Sequence, residues 1–321
     1  MSIKINKDNI EFNNYTMTFT EEGFVFDGEI LANFISISPP MAGTVSGYTS
    51  GGDAPLAVNT IDKFPFATDA DATDVGDLTI ARYHAAGQSS SENGYSSGGL
   101  SPTTDTIDKF PFATDANATD VGDLTQARYG AAGQSSSENG YTSGGITPPL
   151  VNTIDKFPFA ADANATDVGD LTQARQYAAG QSSTENGYSS GGFPTVNTID
   201  KFPFATDTNA TDVGDLTVAR FWVAGQSSNE NGYTSGGFPP LSNIIDKFPF
   251  ATDANATDVG DLTQARYGPT GQSSSENGYS SGGFAPSRVN TIDKFPFATD
   301  ANATDVGDLT QERRYAAGQQ D

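Results

Sequence analysis

Gly47-Tyr48-Thr49-Ser50-Gly51-Gly52 decides how this chain is read, because it returns in near-identical form at Gly94, Gly140, Gly187, Gly232 and Gly278. Each copy is followed by Asn-Thr-Ile-Asp-Lys-Phe-Pro-Phe or a close variant, then by Asp-Val-Gly-Asp-Leu-Thr. An arginine and a small-residue run ending in Gly-Gln complete the unit. The equivalent isoleucines Ile61, Ile107, Ile154, Ile199, Ile245 and Ile292 set a period of 45–47 residues. Self-similarity at this spacing belongs to solenoids and propellers, in which each unit buries its apolar face against the next copy.

Four strand candidates fit into each unit: the Gly-Tyr stretch, Asn-Thr-Ile-Asp-Lys-Phe, Val-Gly-Asp-Leu-Thr, and the small-residue run. Glu92-Asn93-Gly94 lies between one small run and the next Gly-Tyr stretch, and Asn-Gly is a strong hairpin signal, so these two segments are expected to pair. Four strands per unit make a propeller blade. Blades converge on an axis where side chains have least room, which places Ala85-Ala86-Gly87 and Ser89-Ser90 innermost. Phe64 and Phe66 then fill the gap between blades. Pro65 donates no ladder hydrogen bond and marks the end of pairing or a bulge.

The chain reaches its first Gly-Tyr stretch without a small run before it, and ends on a small run with no Gly-Tyr stretch after it. Ala316–Gln320 must therefore pair with Tyr48–Gly52 to close the ring, which also removes exposed strand edges. The expected fold is all-β: a six-bladed propeller over residues 46–321, closed by the C-terminal strand and preceded by a β-rich arm, residues 1–45. Within that arm Ile3 and Ile5, Ile10 and Phe12, Tyr15, Met17 and Phe19, and Phe24 and Phe26 alternate with polar neighbours. Ile30–Ile37 adds a further apolar piece. Three or four short strands bury little alone, so the arm is expected to pack on its own propeller, on a copy of itself or on a larger assembly.

Composition excludes several classes of function. The formal charge of −24 is mostly built into the repeat; the second unit, for example, sets Asp108, Asp115, Asp120, Asp123 and Glu138 against Lys109 and Arg128. Such a surface repels phosphate backbones, so nucleic acid is not an expected partner. No apolar run is long enough to span a bilayer and no signal segment is evident, so neither membrane insertion nor secretion by a leader is expected. The absence of cysteine removes disulfides, thiol chemistry and thiolate metal sites. With one histidine, His84, there is no triad and no histidine metal cluster, and no catalytic residue is assigned.

Two patterns remain as candidate sites. Asp115, Asn117, Thr119 and Asp123 place oxygens at intervals that suit calcium, although the turn glycine and final glutamate of a calcium loop are missing; the same residues also suit an Asx-type turn. The other pattern is where the copies differ. After each arginine come Tyr83-His84, Tyr129-Gly130, Gln176-Tyr177, Phe221-Trp222, Tyr267-Gly268 and Arg314-Tyr315. After each double glycine comes a variable loop, three of which begin with Phe193, Phe238 and Phe284. Strand alternation puts both sets on one face of the disk. Aromatic residues gathered there suit recognition of a glycan or a protein, while loops also drift freely. The candidate ligand-binding residues are Tyr83, His84, Tyr129, Tyr177, Phe193, Phe221, Trp222, Phe238, Tyr267, Phe284 and Tyr315.

The unit resembles the kelch repeat, which carries an aromatic before a double glycine and an arginine near its innermost strand. Tyr48, Gly51, Gly52 and Arg82 match, as do Tyr95, Gly98, Gly99 and Arg128, through to Arg313. The family's outer-strand tryptophan is missing, with Val75 and Val121 standing nearest its place. Asp120-Val121-Gly122 through Thr125 resembles the Asp-box turn of sialidase propellers without its first serine, which implies a structural hairpin turn. Near-verbatim propeller repeats behind a β-rich arm also resemble appendage or decoration proteins of marine tailed bacteriophages. That likeness implies a non-enzymatic virion protein without a cofactor other than the calcium considered above. It would be held to other virion proteins through residues 1–45, able to form homo-oligomers, and would meet a host glycan or surface protein. A free, extracellular carbohydrate-binding lectin is the alternative.

Overall fold

The computed structural model describes residues 43–321 throughout. Before them it describes the backbone of residues 3–5, 9–12, 15–20, 23–26 and 29–32. Residues Met1–Pro39 and Pro40–Asp321 are two separate units. In the first, five short strands, Ile3–Ile5, Asn9–Phe12, Tyr15–Thr20, Gly23–Phe26 and Glu29–Ala32, form an antiparallel sheet in chain order. The count exceeds the three or four expected because Glu29–Ala32 is a strand of its own. The sequence before it reads Asp27-Gly28, itself a hairpin signal. The rest of the Ile30–Ile37 piece, and what the arm packs against, lie outside the described residues.

The second unit is a ring of six four-stranded antiparallel blades. Blade two shows the pattern: Ala86–Ser89 is innermost, followed outward by Asn93–Ser97, Thr106–Pro111 and Thr119–Asp123. Blade one is completed from the other end of the chain, Ala317–Gln320 pairing with Gly47–Ser50 in the register Ala317↔Ser50 to Gln320↔Gly47. At this seam Thr44 and Val45 donate N–H to the Asp321 carbonyl, and Asp321 donates to Ser46. A non-covalent junction thus stands where the other blades have a covalent hairpin.

The inner strands are small because the ring is narrow. A Cβ on Gly133 would collide with the carbonyl oxygen of Gly87, and the same clash recurs from Gly180 to Gly133 and onward until Gly87 meets Gly318. Outside this ring, Tyr48 of blade one lies against Phe110 and Phe112 of blade two, with Ile61 and Leu78 in the same cluster. The equivalent cluster across the seam joins Phe64 and Phe66 to Tyr279, Ile292 and Leu309. The phenylalanines therefore fill the gaps between blades, and Val75 packs on this core near the place of the missing tryptophan.

Pro65 and its copies are the last residues of their strands, and the bulge lies elsewhere. Opposite Ile107 and Asp108 the partners are Gly122 and Asp120, which leaves Val121 as the extra residue. The Asp-box-like fragment is thus mainly outer strand, with Asp120 accepting the Gly122 N–H at 3.2 Å, and not the hairpin turn its resemblance implied. The Asn-Gly hairpins do form, but through Ser90, whose hydroxyl accepts N–H from Glu92 and Asn93 while its own N–H reaches the Asn93 carbonyl. Gly94 serves packing, since the Phe110 ring occupies the space a side chain would need.

Candidate functional site

Blade-to-blade bonding consumes most of the charge and polarity in the repeat. The recurring arginine of each unit precedes an inner strand and forms a fully buried ion pair with an aspartate of that blade, at 2.5–3.2 Å: Arg82–Asp108, Arg128–Asp155, Arg175–Asp200, Arg220–Asp246, Arg266–Asp293 and Arg313–Asp62. In all six the same carboxylate accepts the backbone N–H and the hydroxyl of a threonine from the preceding blade, as Asp108 does from Thr79. Burial pulls the Arg82 guanidinium below its ordinary value, and Asp108 opposes that shift.

The Asp-rich turns also join blades. Asp115 pairs with Lys63, and Asn117 accepts the Asp77 N–H at 3.1 Å, both from the preceding blade. Thr119 and Asp123 are at opposite ends of the outer strand. Among the described residues no group of three or more histidine, aspartate or glutamate side chains is arranged to hold a metal ion.

The variable residues form two concentric layers on one face. Loops after the double glycines pair with the segments after the arginines: Tyr83 with Leu100, Tyr129 with Ile146, Gln176 with Phe193, Phe221 with Phe238, Tyr267 with Phe284 and Arg314 with Asp53. One residue further on, His84, Gly130, Tyr177, Trp222, Gly268 and Tyr315 all adopt left-handed backbone, with φ of 55–68°. Each donates its N–H to the equivalent carbonyl of the blade before it at 2.6–2.9 Å, from Gly130 to His84 and round to His84 donating to Tyr315. This closed circle of hydrogen bonds holds non-glycine residues in a conformation that costs roughly 1–2 kcal/mol each.

Their side chains meet across the axis. His84 lies 3.9 Å from the Tyr315 ring and 4.7 Å from Tyr177; Trp222 lies 5.4 and 5.6 Å from Tyr177 and Tyr315, centroid to centroid. Glycine occupies the other two positions because the Tyr177 and Tyr315 rings lie over Gly130 and Gly268. Beneath them is a cavity of about 140 Å³ walled by the Ala-Ala-Gly inner strands. Burial, with Arg314 adding to it, lowers the His84 pKa to about 3, so the imidazole is neutral. Burial raises the Tyr177 and Tyr315 phenols.

Because unfolded histidine titrates near 6.5, the unfolded chain gains a proton below that pH that the folded ring refuses until about pH 3. The His84 contribution is fully present above pH ~6.5 and declines as pH falls toward 3. At pH 5.5 the loss is about 1 kcal/mol. His84 is the sole histidine, so His84→Gln is expected to flatten the change in urea midpoint between pH 7.5 and 5.5; an unchanged slope would refute the neutral, half-buried imidazole.

The outer layer is asymmetric. Phe193, Phe221, Phe238, Tyr267 and Phe284 form a continuous aromatic sector over blades four to six, with neighbouring centroids 5.1–6.1 Å apart. Trp222 stacks on Tyr267 from the inner layer at 5.0 Å. Phe193 and Phe238 are 42% and 39% exposed. Tyr83 and Tyr129 stand apart from this sector and touch His84 instead. Apart from Val45, every large exposed apolar side chain among the described residues belongs to the rim loops or to the segments bonded to them: Leu56, Ile80, Phe193, Val218, Phe238 and Leu241.

One cluster carried no sequence motif. Asp53 is clamped by two arginines, Arg288 Nη2 at 2.9 Å from both carboxylate oxygens and Arg314 Nε at 2.8 Å from one. Arg314 also stacks 5.0 Å over Phe284 and donates to the Tyr267 hydroxyl at 2.8 Å. A signal was available: of the sixteen lysines and arginines, twelve recur in register, one Lys and one Arg per unit, and Lys4 and Lys7 precede the repeats. Arg288 and Arg314 are the remainder.

The molecule is thus a six-bladed propeller with its changeable residues on one face. It matches no known family model, and no curated protein compared with it is significantly similar.

Proposed function

We propose that this is a non-enzymatic binding protein whose variable face, and above all the sector from Phe193 to Phe284, meets its ligand. The observation that carries this reading is that, among the described residues, the large exposed apolar side chains lie in the rim loops and the segments bonded to them, with Val45 as the one exception. Solvated aromatic rings on a rigid frame offer contact area at low entropic cost. The neutral His84, packed among rings, suits a structural and binding part better than proton transfer.

The setting we favour is a virion: a kelch-like propeller carried as a fibre, appendage or capsid decoration of a tailed phage, attached through residues 1–45 and facing a host glycan or surface protein. The near-verbatim repeats behind a β-rich arm support this. A free lectin is the second reading, supported by the half-exposed rings, which suit the faces of sugars.

The test uses purified protein on a glycan array and on envelope fractions of marine bacteria. Phe193→Ala with Phe238→Ala is expected to lower binding at least ten-fold with an unchanged unfolding midpoint. Undiminished binding would remove the face from consideration. Deletion of residues 1–39, which leaves the seam residues Thr44 and Val45 in place, is expected to spare binding and abolish incorporation into particles; continued incorporation would favour the free lectin.

A further inference from the structure

We propose that the groove beside Arg288 takes a saccharide bearing a single carboxylate, such as a uronic acid unit. This inference rests on the reading of the variable face as a binding surface and names the chemical class of the ligand. Two arginines share the single carboxylate of Asp53 on a molecule whose formal charge is −24, and Glu312, in the same groove, forms no ion pair with either. The other basic side chains of the propeller are committed to the aspartates that recur with the blades, so this is the one place on it where cations outnumber their partner carboxylates.

The second arginine leaves a donor to spare. Arg288 uses Nε for the Asp53 carbonyl and Nη2 for the Asp53 carboxylate, and its Nη1 has no partner among the described residues. Beside it is an open groove of about 540 Å³, lined by Phe284, Ser287, Arg288, Gln311 and Glu312 among others. That volume is in the range of small-ligand sites.

The lining divides the work of recognising a sugar. Arg288 supplies a charge-assisted donor for a carboxylate. Phe284 supplies an apolar ring for the face of a pyranose, backed by the Arg314 guanidinium and by Tyr267 at 5.1 Å. Ser287, Gln311 and Glu312 supply donors and acceptors for hydroxyl groups. Glu312 also limits the charge: one carboxylate fits against Arg288, and a second nearby would meet a like charge. Asp53, Arg288 and Arg314 each break the repeat, so the site occurs once per molecule while the scaffold occurs six times.

The experiment is calorimetric titration of the full-length protein with a glucuronic-acid-containing disaccharide and with its neutral glucose counterpart. The acidic sugar is expected to bind at least ten-fold more tightly, with an advantage that shrinks as salt is raised. Arg288→Gln is expected to erase that preference while Arg314 keeps its bond to Asp53. Glu312→Gln, at an exposed position outside the seam, is expected to raise affinity for the acidic sugar several-fold and provides a check should the arginine variant not fold. Equal binding of the two sugars overturns this inference and leaves the binding face standing. So does a variant that shifts only the unfolding midpoint, which would make the arginines a clasp at the seam. Binding of neither sugar overturns the inference, and only the array result above bears on the face itself.

Discussion

A chain ending at Glu312 is expected to lose cooperative unfolding altogether. The nine residues removed carry the inner strand Ala317–Gln320 of blade one. They also hold the Arg313 partner of buried Asp62, and Gln319, whose side-chain amide reaches Ser50 in its own blade and the Tyr95 carbonyl in the next. Tyr315 goes with them, which opens the hydrogen-bonded circle on the variable face. An unpaired buried aspartate alone costs about 3–5 kcal/mol, against a total stability of about 5–15 kcal/mol for a typical domain. The inner edge of Ser46–Ala54 is uncovered as well. Scanning calorimetry should therefore show no sharp transition in the truncated protein. A transition with an unshifted midpoint would mean that the ring holds without its seam.

Arg128→Met is expected to cost about 3–5 kcal/mol, among the largest effects available to a single side chain here. Arg128 and Asp155 both have side chains with no solvent exposure, and they meet at 3.2 Å. Asp155 also accepts the Thr125 N–H and hydroxyl, while Arg128 donates to the Thr142 carbonyl at 2.9 Å. Losing the arginine strands a carboxylate in a dry blade junction. Losing both charges, in Arg128→Met with Asp155→Leu, removes the stranded ion and lets exposed Thr125 turn to water. The double variant is expected to cost less than the sum of the singles by about 2 kcal/mol, measured by urea denaturation. Strict additivity would show that the pair is not coupled.

The architecture was legible because the repeat states it six times. Ile61 and its copies set the blade count, the Ala-Ala-Gly runs mark the axis, and the unmatched ends at Tyr48 and Gln320 require a seam between termini. Local rules were less informative about cause. Asn93-Gly94 forecast the hairpin correctly, yet Ser90 makes the turn and Gly94 makes room for Phe110. Val121 as a bulge could not be read from composition, because a bulge depends on the register with a strand elsewhere in the unit. The face itself followed from strand alternation and from the disagreement among copies. What could not be inferred was its division into an axial cluster and an outer sector, since His84, Tyr177, Trp222 and Tyr315 come together only through backbone bonds between blades. The Asp53, Arg288 and Arg314 cluster draws on two ends of the polypeptide that adjoin only after closure.

The inner strands bring one glycine of each blade against its neighbour at the axis. Where six carbonyls and six hydrogens of bare peptide crowd together, a mutation has no side chain to vary, and the bore is closed to evolutionary experiment. Novelty is left to the outer loops above it, whose backbone pairings run within a blade and not between blades. If the face binds as proposed, a lineage carrying this gene could exchange one preference for another there at little cost to durability, much as a tool accepts a new bit without recasting the handle.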